Sequence, residues 1–137
     1  MDFKDCIKFA NDVKTCYLAT VDDGKPRVRG LSMWFADETG FYLQTESMKD
    51  LYRQLKANPK VEMCFNAPGT MMRVEGEIEF LYDKNLKEKV LKDRPFLKTF
   101  GLTPDSPELI LFRLVKGQAH FWTMQDNFKP KQMIKFG

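Results

Sequence analysis

Apolar side chains fall at every second position over several stretches of the chain, which is the period of a β-strand with one buried face. The clearest stretch is 70–81, where positions 72 to 80 alternate between apolar residues or glycine and charged residues. Gly76 in its middle predicts a bulge, or a backbone that something else approaches closely. Further strands are predicted at 15–21, 27–35, 41–45, 61–65, 109–115 and 118–124, the last two forming a hairpin around Lys116 and Gly117.

Three other stretches have the helical period of 3.6 residues, namely 2–13, a segment that opens at Ser47 and ends at the Asn-Pro pair 58–59, and 83–93. Asp2 is suited to cap the first of these helices. Asp50 lies three residues after Ser47, which is the spacing of a capping box and predicts that the second helix begins at Ser47.

The remaining segments predict little regular structure. The stretch 94–108 contains three prolines and is predicted to be irregular, apart from a short helical turn at 96–100. The polar tail 125–137 is predicted to hold one short strand around Met133 and Ile134. Six or seven strands joined mostly by short turns, with helices as inserts, predict a mainly β antiparallel barrel with helical decoration. The 137 residues fit a single domain, 1–137.

Charge and composition narrow the class of protein. The chain has 22 basic and 19 acidic residues and a net charge of +3, which is too balanced to indicate a nucleic-acid or membrane partner. No apolar run approaches a membrane span, and the first residues resemble no secretion signal, so a cytoplasmic location is expected. Three cysteines without a CxxC pair predict buried thiols and neither disulfides nor a zinc site, and one histidine is too few for a metal triad.

Candidate chemistry is sparse, since no nucleophile elbow, P-loop or GxGxxG motif is present. If the protein performs chemistry, a bound cofactor is expected to supply the reactive group. The segment from Thr45 through Ser47 to Lys49 joins a strand to a helix start and would suit a phosphate, although a plain capped helix with a solvated lysine fits equally. Arg27 and Arg29 project to the same side of one strand and are either solvated or anion-binding.

The order of these pieces resembles the FMN-binding split-barrel family, the superfamily of pyridoxamine 5′-phosphate oxidase and its relatives. The resemblance covers about residues 3–125. Its segments are 16–21 with 24–29 as an opening hairpin, 40–45 followed by Ser-Met-Lys at 47–49, the Asn-Pro helix end within 55–61, Arg-Val-Glu-Gly at 73–76, and 112–114 with 121–122 as a closing hairpin.

This resemblance implies a six-stranded antiparallel Greek-key split barrel that forms a homodimer, with two FMN molecules at the interface, each touched by both subunits. It implies that Arg29, Gly30 and Leu31 line the flavin and its ribityl chain. It also implies that the phosphate is held by the segment 45–49 and that Trp122 comes from the partner subunit. The complete implied FMN-binding set is Arg27, Arg29, Gly30, Leu31, Thr45, Ser47, Met48, Lys49, Met71 and Trp122.

The chain also departs from the oxidase pattern. Met71 or Met72 replaces the glutamine expected before Arg73, the loop between Thr45 and Lys49 is shorter, and the C-terminal Arg-x-His signature is absent from 129–137. Pyridoxamine phosphate is therefore not the expected substrate. The resemblance is instead to short members of the superfamily related to nitroimidazole-resistance reductases.

The resemblance implies an FMN-dependent oxidoreductase, like a flavin reductase or nitroreductase, that passes electrons from a donor such as NAD(P)H to a small organic acceptor. One alternative is a non-catalytic FMN carrier, store or stress-response protein. Another is the same cleft binding haem, FAD or a deazaflavin, and the lone His120 leaves haem open. The candidates for a general acid or base are Tyr42, Cys64 and His120.

Overall fold

The protein consists of eight β-strands, three α-helices and one 3₁₀ helix, and the first α-helix precedes all of the strands. The computed structural model describes residues 1–137. In chain order the elements are α1 (Phe3–Val13), β1 (Thr15–Asp22), β2 (Lys25–Ser32), β3 (Phe35–Asp37), β4 (Gly40–Glu46), α2 (Asp50–Ala57), β5 (Lys60–Ala67), β6 (Thr70–Leu81), α3 (Lys84–Asp93), a 3₁₀ helix (Pro95–Phe100), β7 (Leu109–Thr123) and β8 (Ile134–Phe136).

The strands form one antiparallel sheet in the order β2-β1-β5-β6-β7-β4-β3, and β8 pairs with β7. The sheet curls around the main apolar core but does not close, because β2 and β3 stand at its two ends. The predicted mainly β, antiparallel fold is confirmed. The strand number is eight, two more than the six implied, because the predicted strand 27–35 is divided into β2 and β3 and because β8 adds to β7.

The predicted closing hairpin around Lys116 and Gly117 is wrong, because β7 runs without a turn through both residues. The register of β6 against β7 shifts between Glu77 and Ile78, so the ladder contains a bulge at this point. Gly76 and Gly117 face each other beside the bulge, and a Cβ on Gly117 would lie only 1.9 Å from the backbone oxygen of Glu75. The predicted close approach of another backbone at Gly76 is therefore confirmed, and Gly117 allows the same approach from the facing strand.

The predicted helix start at Ser47 is also wrong. The strand β4 continues to Glu46, and the Ser47 amide donates to the backbone oxygen of Glu108 at 2.9 Å, which keeps Ser47 with the strand. The helix α2 begins at Asp50, its N-cap residue is Lys49, and no side chain caps it. By contrast, the side chain of Asp2 does cap α1, as predicted.

The three cysteines form no disulfide. Cys6 and Cys16 are fully buried and Cys64 is half-buried, so the expectation of buried thiols is met in full by the first two. Burial raises the pKa of the Cys16 thiol to about 12. None of the helices has the length and apolar character that crossing a membrane requires.

Candidate functional site

A cleft of about 940 Å³ lies where the sheet fails to close, with β2 on one side and the end of β4 on the other. The turn 47–49 and the start of α2 contribute further lining, and the 3₁₀ helix contributes Phe96, Leu97 and Phe100. A volume of this size is within the range of roughly 300–1,000 Å³ that small-molecule sites occupy. The open seam between β2 and β4 is therefore the candidate site.

One guanidinium bridges the seam. Arg94 Nη1 donates to the side-chain oxygen of Gln44 on β4 at 2.8 Å. Its Nη2 donates to Ser32 Oγ at 3.4 Å and to the backbone oxygen of Met33, both at the end of β2. Burial lowers the pKa of Arg94. The bridge is nevertheless charged, because an arginine side chain is not deprotonated in proteins. Sequence reasoning missed Arg94, because it stands at the start of the proline-containing stretch that was predicted to be irregular.

Three exposed cations reach the cleft from separate elements, and each is held by a carboxylate. Arg27 Nε and Arg53 Nη1 lie 3.4 Å and 3.0 Å from the carboxylate of Asp22, and Lys49 Nζ lies 3.4 Å from that of Glu46. The hydrogen bond from Arg53 is the main cause of a lowered pKa at Asp22. The carboxylates orient the cations, and an incoming anion would compete with them.

The start of α2 adds a second source of positive potential. The first backbone N–H groups of an α-helix have no acceptor within the helix, and here no side chain supplies one. Asp50 and Leu51, the first two residues of α2, both line the cleft. The carboxylate of Asp50 offsets part of the potential and lies 3.6 Å from Arg53 Nη2.

A polar cluster lies beneath these cations. Arg29 Nη1 donates to Thr20 Oγ1 at 2.8 Å and to the backbone oxygen of Leu18 at 3.3 Å, and its Nη2 donates to Gln54 Oε1. Thr20 Oγ1 in turn donates to Gln54 Oε1 at 2.5 Å. Both Thr20 and Gln54 are buried. Sequence reasoning missed Gln54, although a polar residue inside the apolar stripe of α2 is a signal that could have identified it.

The same arrangement fixes the direction of two amide groups. Guanidinium groups only donate hydrogen bonds, so the atoms of Gln44 and Gln54 that face Arg94 and Arg29 are the carbonyl oxygens. Both glutamines line the cleft, and their Nε2 groups remain available as donors. The cleft thus combines amide donors, cations and exposed apolar side chains, which suits a flat ligand that carries an anionic group.

The structure brings most of the predicted site residues together. Of the residues predicted to bind FMN, seven line the cleft: Arg27, Arg29, Gly30, Leu31, Thr45, Met48 and Lys49. Ser47 lies in the adjoining turn but not on the cleft wall. Met71 and Trp122 are cross-strand partners on β6 and β7, and Trp122 lines a different cavity, where its Nε1 donates to Asn127 at 2.8 Å. Within one chain these last two residues are not part of the cleft.

The candidates for a general acid or base also lie outside the cleft. Tyr42 is buried, and its hydroxyl accepts a hydrogen bond from Arg113 at 2.8 Å. Cys64 lies half-buried on β5. His120 is only 9% exposed, and burial lowers its pKa, helped by the positive charge of Lys131.

Solved structures of other proteins share this fold. A NimC/NimA family protein from Clostridium acetobutylicum is 25% identical, with a TM-score of 0.83 over 97% of this chain and 92% of that one. An FMN-binding protein related to pyridoxamine 5′-phosphate oxidase, from Nostoc punctiforme, is 15% identical, with a TM-score of 0.63 over 91% and 87% of the two chains. The haem storage protein HutZ from Vibrio cholerae is 17% identical, with a TM-score of 0.66 over 90% and 95%. The split-barrel fold is confirmed.

Two curated relatives match part of the chain, and both are pyridoxine/pyridoxamine 5′-phosphate oxidases. The one from Pseudomonas paraeruginosa is 46% identical over 65 residues, which are 45% of this chain and 30% of the relative. The one from Rhizobium meliloti is 35% identical over 81 residues, which are 57% of this chain and 39% of the relative. The matched part is thus well under half the length of either relative.

A family model described as pyridoxamine 5′-phosphate oxidase matches residues 4–126. This range runs from α1 to the end of β7 and contains every residue that lines the cleft. It also agrees closely with the range over which the motifs resemble that superfamily. The chain therefore belongs to the pyridoxamine 5′-phosphate oxidase family.

Proposed function

We propose that the cleft binds FMN. The observation that carries this proposal is the meeting, at the open seam, of cations from three elements with the uncapped start of α2. Arg27, Lys49 and Arg53 would hold the phosphate, since charge-assisted hydrogen bonds and a helix start both favour a dianion. Thr45 and Met48 line the same end of the cleft, and Ser47 lies in the adjoining turn.

The other end of the cleft would hold the flavin ring and ribityl chain. Arg29, Gly30 and Leu31 of β2 line it, and the oriented amides of Gln44 and Gln54 offer donors to carbonyl and ring-nitrogen acceptors. Bound FMN would supply hydride and electron transfer, which no side chain here can perform. The protein would bind and orient the ring and exclude water from it.

We propose further that the cleft is completed by a second copy of the chain. Several apolar residues on its rim are largely exposed in one chain: Val28 (69%), Met48 (71%), Phe96 (51%) and Phe100 (68%). Such a patch around a ligand site is typical of a surface that another protein covers. Met71 and Trp122, which lie away from the cleft of their own chain, would then reach the cleft of the partner.

The activity that fits best is an oxidoreductase that passes electrons from NAD(P)H to a small organic acceptor. Oxidation of pyridoxamine phosphate is not proposed, because Met71 or Met72 stands where the oxidase pattern has a glutamine before Arg73. Haem binding through His120 lacks support, because that imidazole is buried outside the cleft. A location in the cytoplasm stays a prediction.

Three measurements on the purified protein test this proposal. Its absorption spectrum, with and without added FMN, is expected to show bound flavin, and its mass in solution is expected to be that of two chains. Reduction by NADPH followed by turnover of a quinone or nitro compound would distinguish an enzyme from a carrier. A monomer that takes up no FMN contradicts the proposal.

Replacing Lys49 with alanine is expected to weaken FMN binding about tenfold, because it removes one charge-assisted contact to the phosphate. The measurement is a fluorescence titration of FMN with each variant. Lys8→Ala is the matched control, because Lys8 on α1 also forms an exposed ion pair, with Asp12, but does not line the cleft. Equal FMN affinities of the two variants would show that Lys49 does not contact the phosphate.

Replacing Asp22 with asparagine is expected to have the opposite effect and strengthen FMN binding about fivefold. Asp22 holds Arg27 and Arg53, and the neutral amide releases both guanidinium groups to the phosphate. The gain is expected to shrink at high salt, since the competition is electrostatic. Asp12→Asn, which breaks the exposed pair with Lys8, serves as the control. Weaker binding by the Asp22 variant would show that the carboxylate positions the arginines more than it competes for them.

A further inference from the structure

A second pocket, of about 520 Å³, lies outside the cleft, where the end of α1 meets β3 and the end of α3. None of its lining residues lines the cleft. The residues that form it are Lys14, Trp34, Phe35, Lys89, Asp93 and Arg94. The set combines an aromatic wall with three cations and one carboxylate.

The cations of this pocket have no ion-pair partner. No carboxylate lies within ion-pair distance of Lys14, Lys89 or Arg94. The only carboxylate in the pocket, that of Asp93, accepts a hydrogen bond from Trp34 Nε1 at 3.0 Å. Burial lowers the pKa of Lys14 and the positive charge of Arg94 adds to this effect, while the charge of Asp93 offsets part of it.

Lys14 is also held in a strained backbone conformation. Its φ is 66° and its ψ is −52°, a combination that side-chain-bearing residues rarely adopt. Three hydrogen bonds keep it there: its amide donates to Ala10 at 2.8 Å, its backbone oxygen accepts from Met33 at 2.9 Å, and its Nζ donates to the backbone oxygen of Trp34 at 2.6 Å. A glycine would take this conformation without strain, so the lysine at this position costs backbone strain energy.

The aromatic wall gives the pocket an apolar surface beside its charge. Trp34 packs edge-on against Phe35 with ring centroids 4.8 Å apart. Lys89 Nζ lies 4.3 Å from the centroid of Phe35 and 5.5 Å from that of Trp34, so its ammonium group stands over this wall. An anion attached to a flat apolar body would meet both the cations and the rings.

We propose that this pocket is a binding site for a small aromatic carboxylate. Lys14 and Lys89 would contact the carboxylate, Arg94 would add positive potential from the back of the pocket, and Phe35 would contact the apolar body. A carboxylate bound at Lys14 and Lys89 would also reduce the repulsion between Lys14 and Arg94. The site goes beyond the proposed function and does not depend on FMN.

The test is a titration of the full chain with sodium benzoate, followed by the indole N–H signals in ¹H–¹⁵N NMR spectra. The chain has two tryptophans, and Trp122→Phe assigns the signal of Trp34. Benzoate is expected to shift the Trp34 signal in a saturable way, and sodium chloride at equal ionic strength is expected not to. No saturable shift, or the same shift with chloride, overturns the proposal. Inorganic phosphate binding as tightly as benzoate overturns the aromatic part of it.

Two variants and a matched control locate the site. Lys89→Met is expected to weaken benzoate binding about tenfold, whereas Lys92→Met, one turn further along α3 and outside the pocket, is expected to leave it unchanged. Lys14→Gly is expected to abolish benzoate binding with little change in the unfolding temperature, since relief of strain offsets the lost hydrogen bond. Equal affinity in Lys89→Met and Lys92→Met overturns the site.

The same variants separate this site from the cleft. Neither Lys14 nor Lys89 lines the cleft, so FMN affinity is expected to stay unchanged in both. A protein that binds benzoate but no FMN would contradict the proposed function and leave this site standing, and the reverse result would do the opposite.

Discussion

Gly117→Ala is expected to lower the free energy of unfolding by about 3 kcal/mol, the upper end of what overpacking usually costs. The added Cβ would lie 1.9 Å from the backbone oxygen of Glu75, in the strand paired with β7. A flexible side chain could move aside, but here the obstacle is backbone. The two central strands would have to separate at the bulge, and the measurement is urea unfolding followed by fluorescence.

Two other glycines provide graded controls for this prediction. Gly30→Ala is expected to change stability by less than about 0.5 kcal/mol, because its Cβ would meet only the Tyr17 ring at 3.6 Å. Gly69→Ala meets no atom within 4 Å but has a φ of 75°, so a loss of about 1 kcal/mol is expected from backbone strain alone. The expected order of destabilisation is Gly117, then Gly69, then Gly30. If Gly117→Ala destabilises the protein no more than Gly69→Ala does, steric exclusion is not the reason that position 117 requires glycine.

The close approach of β6 and β7 at Gly76 and Gly117 could be predicted only in part from the sequence. The alternation of apolar residues predicted the strands of the central ladder, because this alternation is a pattern among neighbours along the chain. The Lys116-Gly117 pair was interpreted as a turn, because glycine is typical of turns. The local sequence does not distinguish a glycine that turns the chain from one that allows a facing strand to approach. Only the identity of the partner, Gly76, decides between them.

The candidate site divides in the same way. Arg27 and Lys49 could be predicted, because a strand with two arginines on one face and a strand–helix junction are local patterns. Arg53 and Gln54 were missed, although they lie on the predicted second helix, because their role depends on β1 and β2 packing against that helix. Arg94 was missed because it bridges elements that are about 50 and 60 residues away along the chain.

Arg27 and Arg29 lie on the same face of β2, but their contacts in the structure differ. Arg29→Met is expected to weaken FMN binding by tenfold to about a hundredfold and to lower the free energy of unfolding by about 2 kcal/mol. It removes three hydrogen bonds, to Leu18, Thr20 and Gln54, and leaves the amide of Gln54 free to turn. Arg27→Met is the matched control, because Arg27 lies on the same face of β2 but only touches Asp22 at 3.4 Å.

Arg27→Met is accordingly expected to weaken FMN binding with almost no change in stability. The two effects are separated by measuring FMN affinity and urea unfolding without ligand for both variants. Arg29→Lys is expected to restore little of either quantity, since an ammonium group lacks the planar fork that reaches Thr20 and Gln54 together. If both variants keep their stability, the hydrogen bonds of Arg29 to Leu18, Thr20 and Gln54 do not stabilise the fold. If Arg29→Lys behaves as the unchanged protein, positive charge and not the fork is what the site requires at this position.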